Sequence, residues 1–559
     1  MQTRPIKQQQ EVLKSATLRE FSGGLNLLDD DLNLSTKFSK RMTNCYYSPD
    51  QTVKVRFGIR LFNDLSKFTS SPNVSVINTE YFSYAIICVM SNGEILRVLA
   101  NGSVARIWDN TIAKALPGAP NGWSNTDFAS FEQFNGQLIV CNGVNKPLII
   151  SNTLSVDYLK DLASNTNINT PIAKYVTSCN GYLIMAGDPV KPNRLHISAR
   201  YTSGTFYGDP APNDATYIDV GTSLRNASII KGIRAFRDRL IVAYPEGSVI
   251  GTLGIYNSTG NVHQPSFQDT VELYGAISHR SMLSYGDDML FMDTIGVPSL
   301  KRTVFSGTIR PERVSDLVDP EMSKAINKLT GLSQENRTFS IFNQKEGMFM
   351  FFIPDNDDLA NTTETVAYCF LFRPTLNVSA WCKFQGWNFT CACRTQEGNI
   401  FFGDKNGKLW LYGSDTTPIY SDYMNDDSIN NKEGIPITFD WELPWSDINQ
   451  RTKIKHTKYI TLDTRGTGRF NLSMYCDRFV KNGSGEDSPQ LKMSMVGGDV
   501  VGFGGPTHPY GGGRPTANER KYAWPAKFQI MKLRFRGSTT TQLQFISISF
   551  LYQEGGYNR

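Results

Sequence analysis

The sequence predicts an all-β protein organised around a β-propeller of six to eight blades. The clearest of its hairpins lies at residues 131–143, where Asn135-Gly136 separates two apolar runs. Asn-Gly between such runs favours a tight hairpin, because a primed turn requires positive φ at both central residues. The composition agrees, since aromatic residues make up 12% of the chain and glycine is frequent, as is typical of strands joined by turns.

The same pattern of a turn followed by an apolar strand recurs at intervals of roughly 45–58 residues, the range expected for a four-stranded propeller blade. The recurrences lie at residues 84–93, 178–186, 235–244, 284–292, 342–353 and 394–402. An ordinary run of hairpins in a large β-sandwich is the alternative. Six or seven repetitions at one period favour the propeller over that sandwich.

The composition divides the chain into successive segments. Residues 1–70 are predicted to form an N-terminal arm and docking segment, with a polar start. Residues 71–420 carry the blade pattern, and residues 421–434 form a polar linker. Residues 435–559 alternate polar and apolar residues, which predicts a C-terminal β-sandwich. A loop at 482–520, rich in glycine, interrupts this sandwich; loops of that length are usually functional or disordered.

One helix is expected inside the propeller segment. Residues 320–329 follow Asp319, which is predicted to be the N-cap, and Pro320 stands at the first helical position. The other longer insertion in this segment, residues 121–127, is predicted to be a turn-rich loop.

The charge distribution and the cysteine content indicate the compartment in which the protein is made. Residues 435–559 carry 17 basic against 10 acidic residues, so the positive charge is concentrated there. No apolar run reaches the ~18 residues that span a bilayer, and residues 1–10 lack the apolar region of a secretory signal. The nine cysteines lie mostly in apolar strands. Together these features predict reduced, buried thiols in a protein made in a cytosol.

The sequence contains no recognisable catalytic or metal-binding motif. The five histidines are scattered, and Cys391-Ala-Cys393 has no second pair with which to complete a tetrahedral site. The carboxylate pairs at 287–288 and 357–358 lie in predicted turns, where they more often accept backbone hydrogen bonds than hydrolyse a glycosidic bond. We therefore predict a protein that is not an enzyme, with no catalytic residue, no metal site and no cofactor.

A basic strand is the one candidate interaction surface. Arg451, Lys453, Lys455 and Lys458 occur within eight residues, and in an extended chain the first three share a face. These four residues are predicted to face DNA phosphates or a neighbouring subunit. The alternative is a solvated face or a sheet edge protected by lysine.

Several segments resemble the tail nozzle proteins of short-tailed bacteriophages, also called tail tubular protein B, and the related DNA stabilisation proteins. They are the Phe-Ser-Gly-Gly-Leu-Asn run at 21–26, Asn44, the Arg-Phe-Gly run at 56–58, the segments at 272–286 and 291–296, and the Gly-Gly-Tyr-Asn-Arg end at 555–559. The resemblance covers nearly the whole chain as architecture and loose pattern, without a single specific motif.

The resemblance implies a structural subunit of a homohexameric ring at the virion tail tip, made and assembled in the host cytoplasm. Such a ring lies below the tail adaptor ring, retains the double-stranded DNA genome and conducts it during ejection. Tail fibres or spikes and the host cell surface are the further partners implied, and no integral membrane segment is expected. The alternative is a carbohydrate-active or receptor-binding propeller at the phage surface, which two close carboxylates in a cleft would favour.

Overall fold

The computed structural model describes residues 13–557 with internal gaps. The residues outside the description are 1–12, 117–121, 162–164, 208–214, 221–228, 237–238, 245–251, 258–265, 273, 287, 301–312, 377, 428–431, 449, 467, 478–490, 498–517 and 558–559. The start of the predicted N-terminal arm and most of the predicted 482–520 loop therefore lie outside the described residues. No described helix is long and apolar enough to cross a membrane.

The first twenty strands in chain order are β1 (Leu13–Leu18), β2 (Gly24–Leu25), β3 (Phe38–Ser39), β4 (Arg41–Thr43), β5 (Cys45–Tyr47), β6 (Val53–Val55), β7 (Ile59–Asp64), β8 (Val76–Phe82), β9 (Ala85–Met90), β10 (Ile95–Leu99), β11 (Val104–Trp108), β12 (Ser130–Phe134), β13 (Gln137–Cys141), β14 (Leu148–Ile150), β15 (Val156–Tyr158), β16 (Tyr175–Cys179), β17 (Tyr182–Ala186), β18 (Arg194–Ile197), β19 (Thr216–Asp219) and β20 (Gly232–Phe236).

The strands continue with β21 (Arg239–Ala243), β22 (Thr252–Asn257), β23 (Ser266–Glu272), β24 (Leu283–Tyr285), β25 (Asp288–Leu290), β26 (Phe339–Asn343), β27 (Met348–Pro354), β28 (Thr365–Arg373), β29 (Val378–Trp387), β30 (Phe389–Arg394), β31 (Ile400–Asp404), β32 (Lys408–Tyr412), β33 (Ser421–Asp422), β34 (Ile435–Glu442), β35 (Lys453–Gly466), β36 (Gly468–Cys476), β37 (Leu491–Gly497), β38 (Asn518–Phe528), β39 (Met531–Thr539) and β40 (Leu543–Tyr557). The described α-helices are α1 (Asn110–Ala115), α2 (Asp319–Asn327) and α3 (Gly331–Arg337), and short 3-10 turns occur at Leu65–Phe68, His279–Ser281 and Pro374–Leu376.

The chain forms two compact units. The propeller unit comprises Arg60–Cys369 and Gln385–Ser414, and the sandwich unit comprises Met1–Ile59, Phe370–Phe384 and Asp415–Arg559. The N-terminal residues thus belong to the same unit as the C-terminal residues.

Seven sheets of the propeller unit act as blades, which confirms the predicted fold. They are, along the chain, blade 1 (β8–β11), blade 2 (β12–β15), blade 3 (β16–β19), blade 4 (β20–β23), blade 5 (β24–β25), blade 6 (β26, β27 and the propeller part of β28) and blade 7 (β30–β32 with β7). The innermost strands of successive blades touch, with the His279–Ser281 turn between β20 and β26, and β30 touches β8. The ring is therefore closed, and β7 completes the last blade from the N-terminal side.

The hairpin that anchors the sequence prediction is present. β12 and β13 pair antiparallel from Phe134↔Gln137 outward. Asn135 has φ 51° and Gly136 has φ 71°, as a primed turn requires. The turn at Asn180-Gly181 joins β16 to β17 in the same way, with φ values of 50° and 84°. The repeated turn chemistry therefore marks the same position in successive blades.

The core lies between neighbouring blades, which explains why the central strands are apolar on both faces. On β13, Leu138 and Val140 pack against apolar residues of blade 1. The alternate residues Ile139 and Cys141 pack with Val176 and its neighbours in blade 3. Successive side chains of a strand point to opposite faces, so a blade with neighbours on both sides buries four of the five residues of β13.

The sandwich unit contains the predicted C-terminal β-sandwich. One sheet has the order β38-β35-β40-β6-β5, with β1 also paired to β40, and the other contains β34, β39, β36 and β37, with β4 against β34. Aromatic rings fill the space between the sheets. The Trp441 ring lies 4.8 Å from that of Phe535 and 5.3 Å from that of Phe545 on the opposite sheet. The N-terminal strands thus complete both sheets.

The predicted helix is present, but its predicted N-cap is wrong. Helix α2 begins at Asp319 itself, and Val318 occupies the cap position without a side-chain hydrogen bond. The Ser315 hydroxyl donates to the Asp319 carboxylate, which is therefore held away from the helical amides. Helices α1 and α3 lie in segments for which the sequence analysis predicted no helix.

Candidate functional site

The axial channel of the propeller is closed at one end by helix α3. Its last residues, Glu335, Asn336 and Arg337, are buried. Glu335 accepts hydrogen bonds from Lys174, Lys231 and the hydroxyl of Tyr175. Lys174 and Lys231 immediately precede the innermost strands β16 and β20. The last turn of α3 therefore joins the starts of the innermost strands of different blades.

A second contact extends this closure to blade 2. The Asn336 amide donates to Asp127, which precedes β12, over 2.8 Å. Burial alone would raise the pKa of Glu335, but the two lysine charges hold it below its usual value. Glu335 is therefore a charged, fully partnered group.

An axial pocket of about 150 Å³ lies further along the same innermost strands. Its polar lining includes Glu80 of β8, Arg234 of β20 and Ser340 of β26. Exposure increases along β12, from buried Phe131 through half-buried Glu132 to exposed Gln133. The pocket therefore opens toward the ends of the innermost strands, whereas α3 joins their starts.

Glu80 lines this pocket, and Glu132 on the neighbouring blade lies near Glu80 without lining the pocket. Glu80 accepts from the Gln133 amide over 3.2 Å, and Glu132 accepts from the Ser178 hydroxyl. Burial raises the pKa of Glu80 to about 7; the charge of Glu132 raises it further, while that of Arg234 opposes the rise. Burial also raises the pKa of Glu132. Neither carboxylate has the two cationic partners that Glu335 has.

Two arginines at the pocket have different surroundings. The guanidinium of Arg280 donates to the carbonyls of Ile77 and Thr390, over 2.7 and 2.8 Å, and so links blades 1 and 7. Arg234 lies close enough to Glu80 and Glu132 to influence the pKa of each. Within the described residues, Arg234 makes no hydrogen bond and no close ion pair. Its N–H groups are therefore available to a bound molecule.

His279 forms part of the pocket wall nearest the closed end. Burial and the charges of Arg234 and Arg280 lower its pKa to about 3. Its Nδ1 accepts from the backbone amide of Ile233 over 3.4 Å, and its ring lies 5.2 Å from that of Tyr175. His279 is therefore neutral at physiological pH and cannot serve as a proton donor of ordinary imidazolium strength.

The predicted basic strand does not present a single basic face. Lys455 is buried and donates to the carbonyls of Gln450 and Gln529. A bulge between Lys453 and Lys455 breaks the alternation on which the prediction relied. The prediction that Lys455 meets phosphates or a neighbour is therefore wrong.

The other members of that strand are differently placed. Lys453 pairs with Glu554 over 2.8 Å, whereas Arg451 and Lys458 are exposed. A contact of these two residues with DNA or a subunit stays a prediction.

The other residues singled out from the sequence have structural positions. Cys391 and Cys393 are buried on β30; all nine cysteines are buried, and no disulfide joins any two of them. Asp288 accepts from the Ser299 hydroxyl, and Asp358 from the Ala360 amide. Asp287 lies outside the described residues. Across the described part of the chain, no group of three or more histidine, cysteine or carboxylate residues could hold a metal ion.

Two residues of the family resemblance form a buried network in the sandwich unit. Arg56 binds both carboxylate oxygens of Asp422, over 2.8 and 2.6 Å, and its Nε donates to Asn44 over 2.9 Å. Bidentate pairing of this kind fixes orientation as well as charge. Asn44 and Arg56 therefore hold the sandwich unit together rather than forming an exposed site.

A groove of about 430 Å³ runs beside the first strand of the sandwich unit. The β1 groove is lined by residues 14–18, 32, 34–36, 445–448, 450, 451, 530, 552 and 554. Among the described residues β1 pairs only with β40, so its other edge is open to the groove. Leu13 and Leu32 are 46% and 48% exposed beside it. An open strand edge beside apolar side chains is a surface that binds an extended segment of another chain.

Comparison with known proteins adds no function. No family model and no curated protein matches the chain. A streptogramin B lyase structure is similar at 11% identity and a TM-score of 0.39, covering 64% of this chain and 98% of that one. The WD40 β-propeller domain of Doa1 is similar at 7% identity and a TM-score of 0.38, covering 64% of this chain and 98% of that one. A chain of a mitotic checkpoint complex is similar at 8% identity and a TM-score of 0.38, covering 70% of this chain and 98% of that one. At these values the likenesses carry no argument about function.

Proposed function

We propose that this chain is a structural subunit of a phage tail nozzle ring, which retains the DNA genome and conducts it during ejection. The observation that supports assembly is the β1 groove. Its open edge offers backbone hydrogen bonds, and Leu32, which lines the groove, offers apolar contact. The proposed occupant is an extended segment of a second copy of this chain, since a ring requires each copy to bind the next.

The axial channel of a single propeller is too small to conduct DNA, so a DNA conduit would require several copies of the chain. It is closed at one end by α3, and its pocket is only about 150 Å³. Duplex DNA cannot pass through such a channel, because its two grooves are about 8.5 and 7.5 Å deep and the duplex is therefore at least about 16 Å across. A conduit for DNA would therefore have to lie between subunits.

The remaining parts of the proposal follow from the family resemblance. The ring would be a homohexamer at the tail tip of the virion, below the adaptor ring, with fibres or spikes and the host surface as further neighbours. Contact with DNA would have to be weak, because each neutralised phosphate adds salt-dependent affinity that slows passage. The burial of Lys455 fits that requirement, since it removes one of four cations from any DNA-facing strand.

Mass photometry of the purified chain and two leucine variants tests the assembly. Six copies of 62.6 kDa give about 376 kDa, and we expect this species for the wild type, alone or on capsids bearing the adaptor ring. Leu32→Glu places a charge in the β1 groove and should shift the protein to monomer. Leu28→Glu is the matched control, because Leu28 is 57% exposed in the same segment but does not line the groove.

Two results would contradict this proposal. One is a wild-type chain that stays monomeric and never joins a particle. The other is equal assembly of the Leu32→Glu and Leu28→Glu variants, which would remove the β1 groove from the interface.

A further inference from the structure

The axial pocket offers both hydrogen-bond acceptors and donors on separate blades. Glu80 provides carboxylate oxygens, each of which can accept several hydrogen bonds. Arg234 provides a fork of five N–H donors that no described residue engages. The two residues lie on the innermost strands of blades 1 and 4. Their side chains therefore converge on the axis from different directions.

The pocket has an apolar side that opposes these polar groups. Phe131 and Phe339 line it and are almost fully buried. Phe339 stacks on Phe352, with ring centroids 4.5 Å apart, so its position is fixed. A molecule with one polar and one apolar face, such as a sugar ring, would find a complement on both sides.

The charges at the pocket favour a neutral molecule. Above about pH 7, where Glu80 is ionised, an anion would approach the carboxylate of Glu80. A cation would meet the guanidinium groups of Arg234 and Arg280, and Arg394 adds a further positive charge near Glu80. A neutral molecule with adjacent hydroxyls can donate to Glu80 and accept from Arg234 at once. Its hydroxyl groups satisfy both kinds of partner without bringing a charge.

The pocket has a volume of about 150 Å³, which leaves room for a small molecule. We propose that the axial pocket binds one neutral sugar residue, with Arg234 and Glu80 as its main hydrogen-bonding partners and Phe131 and Phe339 as its apolar wall. This binding goes beyond ring assembly and needs only the propeller unit.

Saturation-transfer NMR on the full chain, followed by titration, tests the site. The probes are D-glucose, D-galactose, D-mannose and N-acetyl-D-glucosamine, with N-acetylneuraminate as an anionic comparison. We expect transfer to at least one neutral sugar with a Kd on the order of 1 mM, the affinity usual for so small a polar ligand. N-acetylneuraminate should show weaker transfer.

Three variants assign the binding to the pocket. Arg234→Met should weaken it at least tenfold, and Glu80→Gln should weaken it severalfold. Arg194→Met is the matched control, because Arg194 pairs with Asp219 over 2.7 Å on the outer strands of blade 3. This control should bind as the wild type does. Arg234 makes no hydrogen bond to a described residue, so its removal should leave the thermal unfolding midpoint within about 2 °C.

Several results would overturn the proposal. They are the absence of transfer to every neutral sugar, preferential binding of N-acetylneuraminate, and equal binding by the Arg234→Met and Arg194→Met variants. Each can be obtained whether or not the chain forms a ring, so failure here is distinct from failure of the assembly proposal.

Discussion

The two ends of the axial channel hold similar buried carboxylates in opposite electrostatic states. At the closed end, Glu335 pairs with Lys174 and Lys231, and these charges lower its pKa. In the axial pocket, Glu80 has only a neutral amide as its hydrogen-bonding partner, and burial raises its pKa to about 7. The comparison shows how partners decide whether burial is compensated. A compensated group stabilises the fold, whereas an uncompensated group beside an unengaged arginine indicates a binding site.

The largest expected effect comes from breaking the closed end. Glu335→Gln keeps a hydrogen-bonding side chain but leaves two ammonium groups without a counter-charge. Removing one partner of a buried ion pair typically costs 3–5 kcal/mol; we expect about 2–3 kcal/mol here, because Lys174 and Lys231 are partly exposed. Denaturant unfolding followed by tryptophan fluorescence measures the loss.

The control for this variant is Glu397→Gln, which removes an exposed carboxylate of the propeller unit. It should change the free energy of unfolding by less than about 0.5 kcal/mol. If both variants unfold at the same denaturant concentration, helix α3 does not stabilise the closed end.

Replacing Glu80 is expected to have a smaller effect, which is a gain in the free energy of unfolding rather than a loss. Its folded-state pKa lies near 7, above the ordinary 4.5, so the folded protein holds a proton that the unfolded chain releases. The stabilisation from this proton is complete below about pH 4.5 and is lost as the pH rises through about 7. Glu80→Gln removes the titration and should leave the variant more stable than the wild type at pH 8, by on the order of 2 kcal/mol.

Thermal unfolding of both proteins from pH 4 to pH 8 measures this difference. Other carboxylates with raised pKa, such as Asp404 and Asp319, contribute equally to both proteins and cancel. The unfolding temperature of the Glu80→Gln variant should differ from that of the wild type only above about pH 5. Parallel curves over the whole range would show that Glu80 is not protonated in the folded state.

The smallest effect concerns the turn between β12 and β13, which belongs to neither of the two carboxylate sites compared above. Gly136 has φ 71° and nothing within 4 Å of an added Cβ, so Gly136→Ala isolates backbone strain. We expect a loss of about 1 kcal/mol. Gly331→Ala is matched, because an added Cβ is equally unobstructed but the backbone there is helical. It should be neutral or slightly stabilising, and equal losses in both would contradict the role assigned to the turn.

Local signals predicted the propeller well because they are repeated. Asn135-Gly136 and Asn180-Gly181 each carry the positive φ values that the turn chemistry demands, and the apolar runs after them become strands buried on both faces. The closure of the ring by β7 and the pairing of β1 with β40 could not be predicted in this way. These pairings join residues far apart in the chain, and short strands such as β7 carry no distinctive pattern.

The candidate site was missed for a related reason. Glu80, Glu132, Ser178 and Arg234 are separated by 52, 46 and 56 residues along the chain, which is the blade period rather than the spacing of any local motif. A search for polar residues at equivalent positions of the innermost strands would have found them. The prediction of a basic face on β35 was wrong for the opposite reason, because it relied on a local pattern alone. Its spacing suggested one exposed face, but a bulge turned Lys455 into the interior.

Electron cryomicroscopy of the purified wild-type assembly tests the proposed function most directly. The account predicts a ring of about six copies whose passage lies between subunits, with every propeller channel closed by helix α3 and an extended segment of the neighbouring copy in each β1 groove. A monomer at all concentrations, or a ring in which the β1 groove is empty and exposed, would contradict it.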